Sequence, residues 1–142
     1  MSDKDASPTR STFPSVYPVA PLRGIDLHAA ASEHTQLRFR LGAFLRGVIA
    51  EALEPESLLA DDQCTLGRWL YGEGRVHRDD PVFQQLRKSH EEYHRAAAMI
   101  VANHYEGEVY DAAIVGFGSY FSNLSLRLSN LLTELQSSTL AR

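Results

Sequence analysis

Apolar residues recur at intervals of three and four along three long stretches of the chain, which is the spacing of one face of an α-helix. The first stripe starts soon after residue 25. Its members are Leu27, Ala30, His34, Leu37, Leu41, Phe44 and Val48. Because a proline disfavours helical geometry in the residue before it, Pro55 predicts that this helix ends near Glu54.

Two more stripes lie in the second half of the chain. Asp79 or Asp80 can cap the first of these helices, and Pro81 fits its first turn. Its apolar face is Phe83, Leu86, His90, Tyr93, Ala97, Ile100 and His104. A turn near Gly107 leads to the last predicted helix, roughly Val109 to Gln136. Its apolar face is Ala113, Phe117, Tyr120, Leu124, Leu128, Leu131 and Leu135, and Gly116 and Gly118 would lie inside it.

A shorter helix is predicted between the first and second stripes. Asp61 or Asp62 can cap it, and it would run through Trp69 and Leu70 until Gly72 and Gly74 stop it. No stretch shows the alternation of a strand. The sequence therefore predicts an all-α fold: an antiparallel four-helix bundle with a short extra helix that carries Cys64.

Composition divides the chain into two parts. Residues 1–22 hold four of the six prolines, with Ser and Thr filling much of the rest, which predicts a disordered tail. The remaining residues, 23–142, are predicted to form a single helical bundle domain. The chain is 44% hydrophobic, so such a domain can bury a core.

Charge and cysteine content exclude several classes of function. The net charge is −4 and no basic face stands out, so we expect no nucleic-acid partner. No segment is apolar enough to span a membrane, and the N-terminus lacks the apolar core of a signal peptide. A lone cysteine closes no disulfide within the chain and fits a reducing compartment. The predicted location is the cytoplasm.

Four residues form a complete ligand set for zinc. His34 and His90 lie on apolar stripes, His94 is one helical turn after His90, and Cys64 falls near the start of the short helix. Two antiparallel helices facing one another would bring the histidines into one layer, and a helix N-terminus favours a thiolate. Three imidazoles and one thiolate are a tetrahedral zinc set. A single histidine on an apolar stripe is usually a core residue, which is the role we assign to His28, His77 and His104.

The motifs around these residues resemble the chemoreceptor zinc-binding domain family. Its signature of Cys, any residue, an apolar residue, Gly, any residue and an aromatic residue stands here as Cys64-Thr65-Leu66-Gly67-Arg68-Trp69. The family's upstream histidine, with an apolar residue three positions on, is matched by His34 and Leu37. The downstream His-x-x-x-His pair is matched by His90 and His94.

The resemblance implies a mostly helical, often dimeric cytoplasmic domain that holds zinc with three His and one Cys. Members are usually attached to chemotaxis receptors or diguanylate cyclases, whose output responds to zinc or to oxidants. Neither kind of output segment fits within 142 residues. We therefore expect a zinc-binding sensor rather than an enzyme. It would form a homodimer and act on a separate chemoreceptor or diguanylate cyclase, in chemotaxis or cyclic-di-GMP signalling.

Two alternative metal sites compete with this interpretation. His90-Glu91-Glu92-Tyr93-His94 also satisfies the His-Glu-x-x-His pattern of zinc hydrolases, with Glu91 as general base. Such enzymes keep one coordination position open, whereas His34 and Cys64 would fill it here. A di-iron bundle would need more interior carboxylates, and Glu33 and Glu91 lie off the main stripes.

The closed site itself supports two roles. In a switch, zinc availability or oxidation of Cys64 would change the domain's affinity for a partner, because an oxidised thiolate is a poorer zinc ligand. In the alternative role, zinc is a permanent staple in a dimerisation or docking module. A carboxylate near the site, such as that of Glu33, could accept the second imidazole proton of a ligand.

Overall fold

The computed structural model of the chain describes residues 22–49, 52–107, 112–116 and 118–140. Over these residues the chain forms five α-helices and two short 3₁₀ helices. The α-helices are α1 (Leu27–Leu45), α2 (Pro55–Leu59), α3 (Thr65–Tyr71), α4 (Pro81–Tyr105) and α5 (Tyr120–Leu140). The 3₁₀ helices are Glu73–His77, after α3, and Ala112–Val115, before α5. The predicted all-α fold, with a short helix at Cys64, is confirmed.

Three long helices and the segment that contains α2 build the bundle. Tyr93 of α4 stacks on Phe121 of α5 with ring centroids 4.5 Å apart. Further along, Ser138 of α5 donates to Asp80 at the start of α4. Since the contact partners of α4 and α5 run in opposite order, these two helices are antiparallel.

The segment around α2 also runs antiparallel to α4. The hydroxyl of Tyr105 donates to the carbonyl of Leu53 at 2.9 Å, and His94 lies 2.8 Å from the carbonyl of Leu58. This short segment therefore occupies the second position of an antiparallel bundle. The segment around α2 and α5 therefore both run opposite to α4.

Helices α1 and α4 run in the same direction, which corrects the expectation that the histidines come from antiparallel helices. Tyr93 donates to the carbonyl of His34 at 2.6 Å, and the rings of Phe44 and His104 pack 5.0 Å apart. The antiparallel segment between them allows a parallel pair. The histidines still lie in one layer of the bundle. Residues at the same height along the bundle axis can meet whether their helices run parallel or antiparallel.

Helix α1 ends nine residues earlier than the predicted limit at Glu54. Gly47 has φ 73°, a conformation that glycine adopts at no steric cost. Its N–H bonds to the carbonyl of Phe44, and the N–H of Val48 bonds to that of Ala43, which is a Schellman ending. Val48, predicted to be on the apolar face, is 65% exposed. Pro55 does not end a helix but begins α2.

The last helix starts later than predicted. Ser119 caps α5 by accepting a hydrogen bond from Ser122 N–H, so Gly116 and Gly118 precede the helix rather than lying inside it. Tyr120, predicted to be on the apolar face, is 63% exposed. Leu124, Leu128, Leu131 and Leu135 are buried as predicted, whereas Ala113 lies in the 3₁₀ helix before α5 and not in the last helix. Phe117 and the predicted tail up to residue 21 lie outside the described residues.

The predicted start of a helix agrees best with the structure at α4. Asp80 accepts from Val82 N–H at 2.8 Å with Pro81 in the first turn, as predicted. The core is continuous across the elements and includes Leu37, Leu41, Leu66, Trp69, Leu86, Tyr93, Phe121 and Leu135. Leu22, the first described residue, is buried in it. Among the described residues, none of the helices combines the length and apolarity needed to cross a bilayer.

Candidate metal centre

The four residues singled out in the sequence meet at one point of the bundle. His34 comes from the middle of α1, and His90 and His94 come from successive turns of α4. Cys64 is the residue that caps α3. One potential ligand atom from each residue can be chosen so that all lie within 4.8 Å of one another. Within the described parts of the chain, no other group of three or more His, Cys, Asp and Glu side chains is close enough to share a metal ion.

The distances between these atoms fit one tetrahedral zinc ion. Usual zinc bond lengths give edges of about 3.3 Å between two nitrogens and about 3.6 Å between nitrogen and sulfur. His90 Nε2 lies 3.2 Å from His34 Nε2 and 3.1 Å from His94 Nε2. Cys64 Sγ lies 3.7 Å, 3.2 Å and 3.6 Å from the Nε2 atoms of His34, His90 and His94. The side chains therefore already surround a volume of the right size.

Two of the imidazoles are oriented by backbone carbonyls. His34 Nδ1 lies 2.8 Å from the carbonyl of Ala30, and His94 Nδ1 lies 2.8 Å from that of Leu58. Each Nδ1 donates its proton there, which leaves the Nε2 lone pair facing the centre, as a metal ligand requires. His90 Nδ1 is buried without a partner among the described residues.

Burial keeps the histidines neutral. His34 is 4%, His90 0% and His94 6% exposed. Burial, together with the repulsion of a second charged imidazole, lowers the pKa of His34 to about 4 and that of His90 to about 2. Burial also lowers the pKa of His94. A neutral imidazole is the form that binds a metal, so none of the three has to lose a charge near neutral pH.

Cys64 differs from the expectation that the helix start would favour its thiolate. The Gly67 N–H does donate to Cys64 Sγ at 3.3 Å. Burial, however, raises the pKa of the thiol, and the nearby Glu33 carboxylate adds to that increase. The predicted caps, Asp61 and Asp62, are replaced by Cys64 itself. The thiol therefore keeps its proton at neutral pH until a cation replaces it.

Gly67 allows the turn before α3 to close over the cysteine. A Cβ at this position would lie 1.9 Å from the carbonyl oxygen of Asp61. Only glycine permits this approach, which also brings the Gly67 N–H to the sulfur. The glycine of the Cys-x-apolar-Gly motif thus has a physical role in placing Cys64.

Glu33 does not accept an imidazole proton, contrary to the sequence-based suggestion. Its carboxylate accepts from the backbone N–H of Thr65 at 3.0 Å and also from the Thr65 hydroxyl. Burial alone would raise the pKa of Glu33, but these hydrogen bonds outweigh it and the pKa is lowered. The role of Thr65 could not be predicted from the sequence, because its contact with Glu33 spans 32 positions and has no local signal.

A cavity of about 320 Å³ borders the site on its cysteine side. Its lining includes Cys64, His34 and His94, and the polar side chains of Glu33, Gln36 and Gln63. His90 is not part of the lining and is fully buried. Cys64 is the only one of the four residues that is partly exposed, and it shares this cavity with His34 and His94.

The alternative metal sites find little support in this geometry. Glu91 is 55% exposed at its side chain and pairs with Arg95 at 3.4 Å, so it is not placed as a general base at the centre. Cys64 occupies the position that a hydrolase leaves for water. A di-iron site would need carboxylate ligands, and in the part of the chain that the structure describes no carboxylate belongs to the group.

Comparison with known families agrees with the geometry. Residues 34–101 match the family described as the chemoreceptor zinc-binding domain, and all four clustered residues lie within this range. The chain therefore carries a domain of this family, as the resemblance predicted. The family and the ligand set both indicate zinc as the cofactor. The family is a regulatory zinc-binding one rather than a catalytic one. No curated protein and no solved structure was found to match the chain.

Proposed function

We propose that His34, Cys64, His90 and His94 bind one zinc ion and that the domain is a zinc-dependent sensor in bacterial signalling. The observation that carries this proposal is the set of distances among three Nε2 atoms and one Sγ, which match the edges of a zinc tetrahedron. Zinc supplies a cross-link between α1, the start of α3 and α4. This cross-link adds free energy directly to the folded state.

The proposed domain extends beyond the matched region and covers residues 23–142. Helix α5 lies outside residues 34–101. Its Phe121 nevertheless stacks on Tyr93, and Tyr93 donates to the carbonyl of the ligand residue His34. The site thus depends on packing that α5 provides.

The proposed switch is loss of the cross-link, which frees α2 and the turn that carries Cys64. None of the residues of α2 is buried, so α2 has little apolar surface to hold it in place, whereas α3 is anchored in the core through Leu66, Trp69 and Leu70. A partner that binds the two arrangements with different affinity would read the change. The partner we propose is a chemoreceptor or a diguanylate cyclase of the cytoplasm, acting in chemotaxis or cyclic-di-GMP signalling.

Either of two signals would act on the same residues. Zinc availability changes occupancy directly. Oxidation of Cys64 is supported by the cavity beside the site, because this residue is part of its lining. A hydroperoxide transfers one oxygen atom to the sulfur and leaves as an alcohol or water, and the sulfenic acid that forms binds zinc poorly.

A permanent zinc staple in a dimerisation module is the second candidate. Closed four-ligand sites are usually structural, and the centre has no open position. Met99, Tyr105 and Tyr120 each expose more than half of their surface, which supports docking of a second copy. Zinc removal would then change oligomeric state or folding without a graded response.

Elemental analysis of protein purified without added metal or a histidine tag tests the proposal. We expect about one zinc per chain, and much less in the His34→Ala variant. Two irons per chain would instead favour the di-iron site. If the unmodified protein took up no zinc on titration, the proposed function would be wrong.

A further inference from the structure

Glu33, which is not one of the four proposed ligands, connects α1 to the first residue of α3 through hydrogen bonds. One carboxylate oxygen accepts from the Thr65 backbone N–H at 3.0 Å, and the other accepts from the Thr65 hydroxyl. Both oxygens are therefore used on a single residue. Such charge-assisted hydrogen bonds are among the stronger ones in proteins.

The residue so held is the neighbour of the cysteine. Thr65 directly follows Cys64, and the Gly67 N–H donates to Cys64 Sγ from the next turn. The sulfur is thus fixed between two contacts, one through Thr65 to α1 and one within α3. Moving Thr65 away from Glu33 moves Cys64 away from the histidines.

The residues at the start of α3 are less buried than those that follow. The residues just before Cys64, Asp62 and Gln63, are exposed, and the buried residues of α3 begin at Leu66. The histidines, by contrast, project from long helices that are packed along their length. Cys64 is consequently the least buried of the four ligands, and the residue next to it is held to α1 by a polar contact.

We propose that Glu33 is a positioning residue, which holds Cys64 in the metal site through Thr65 and so sets the rate at which the thiolate leaves a bound metal. This inference rests on the proposed zinc site and adds a control element to it. The cavity beside the site is lined by both Glu33 and Cys64, so the contact lies where the sulfur would move out.

The first test is zinc release to an excess of the chelator pyridylazoresorcinol, followed in time. Glu33→Ala should release zinc about ten- to a hundredfold faster, the effect expected from losing charge-assisted hydrogen bonds. Thr65→Ala keeps the backbone N–H bond and should accelerate release by about three- to tenfold. Thr65→Ser restores a hydroxyl and should release zinc at close to the original rate.

Glu91→Ala is the matched control. Glu91 is also the sequence neighbour of a ligand, since it directly follows His90 as Glu33 directly precedes His34, but its carboxylate pairs with the exposed Arg95 instead of α3. Release from Glu91→Ala should match the unmodified protein. Equal acceleration in Glu33→Ala and Glu91→Ala would mean that only the local negative charge matters, and the inference would be overturned.

A double-mutant cycle separates positioning from general stability. In a Cys64→Ala background, three histidines can still hold Co²⁺ or Zn²⁺, and Glu33→Ala should have no further effect on release. With Cys64 present, Glu33→Ala should weaken the thiolate-to-cobalt charge-transfer band, which a loss of overall stability alone does not change. An undiminished band, or the same acceleration in both backgrounds, would overturn the inference.

The two proposals fail in distinguishable ways. If the unmodified protein binds no zinc, the proposed function is wrong. If it binds one zinc and Glu33→Ala and Thr65→Ala both release it at the original rate, the site stands and the role of Glu33 is wrong. Should Glu33→Ala fail to fold, Thr65→Ala against Thr65→Ser carries the test alone.

Discussion

The histidine-bearing and cysteine-bearing parts of the site are built differently. His34, His90 and His94 project from helices of 19 and 25 residues and are almost completely buried. Cys64 caps a helix of seven residues, next to a five-residue helix with no buried residue. The three imidazoles are buried within the core, whereas Cys64 is only partly buried and packs at the edge of the core.

This difference assigns different parts to the two regions in any switch. A change of state needs an element with two accessible arrangements, and such elements come from the least stable parts of a fold. Helix α2 and the turn that ends at Cys64 have that character, while α1 and α4 form the fixed side. The same closed site therefore contains a rigid half and a half that is able to move.

Removal of zinc should have the largest effect, and it should show whether the two parts of the site differ in stability. Structural zinc sites contribute on the order of 10 kcal/mol in small domains, and we expect the midpoint of thermal unfolding to fall by about 10 °C or more after chelation. Amide hydrogen exchange should rise first across residues 53–77 and least in the middle of α4. Uniform loss of protection along the chain would mean that zinc holds the whole bundle rather than one segment.

His90→Ala should be the most damaging single ligand change. We expect zinc affinity to fall more than about a hundredfold, since loss of a supporting partner alone costs ten- to a hundredfold. In the zinc-free protein it should also cost about 2 kcal/mol or more of unfolding free energy, because a fully buried side chain leaves a cavity. Zinc titration and urea unfolding provide the two measurements.

Cys64→Ala is the counterpart of His90→Ala on the cysteine side of the site. Its zinc affinity should also fall steeply, but the zinc-free protein should lose less than about 1 kcal/mol, because Cys64 is only partly buried. A loss in zinc-free Cys64→Ala as large as that in His90→Ala would contradict the division into a rigid and a movable half.

Gly67→Ala should disrupt the cysteine side without touching a ligand. The added Cβ would lie 1.9 Å from the Asp61 carbonyl oxygen, so the turn before α3 must shift. We expect a loss of about 3 kcal/mol in unfolding free energy of the zinc-bound protein, within the range for severe backbone clashes, together with weaker zinc binding.

Gly42→Ala is the matched control for that change. A Cβ there would be no closer than 3.4 Å to its neighbours, in the interior of α1. It should be neutral or stabilise the helix by up to about 1 kcal/mol. If both variants behaved alike, the close approach at Gly67 would not be important for the site.

The sequence predicted the rigid half of the site better than the movable half. Apolar periodicity places His34 and His90 on buried faces, and Asp80 with Pro81 marks the start of α4 where the structure has it. These features are local in sequence. The parallel direction of α1 and α4 depends on the α2 segment between them, which has too few apolar positions to show periodicity.

The missed features are turns and long-range polar contacts. The helix-ending Gly47 was overlooked because Val48 continued the apolar spacing, although the structure exposes Val48. The Arg-Gly pair there was the available signal. The contacts of Glu33 with Thr65 and of His94 with the Leu58 carbonyl join distant positions, and no local pattern encodes them.

The pH dependence of zinc binding separates the two halves chemically. Burial lowers the pKa of His34 to about 4 and that of His90 to about 2, so these imidazoles are already neutral near pH 7 and release no proton on binding. Burial raises the pKa of Cys64, so the thiol must lose its proton to bind. Between about pH 6 and pH 8, affinity should therefore rise about tenfold per pH unit, equivalent to about 1.4 kcal/mol.

Calorimetric titration in two buffers of different ionisation enthalpy should count one proton released per zinc, and none in Cys64→Ala. Release of two or more protons would show that the histidines are charged in the zinc-free protein, and that the core does not hold them in a metal-ready form.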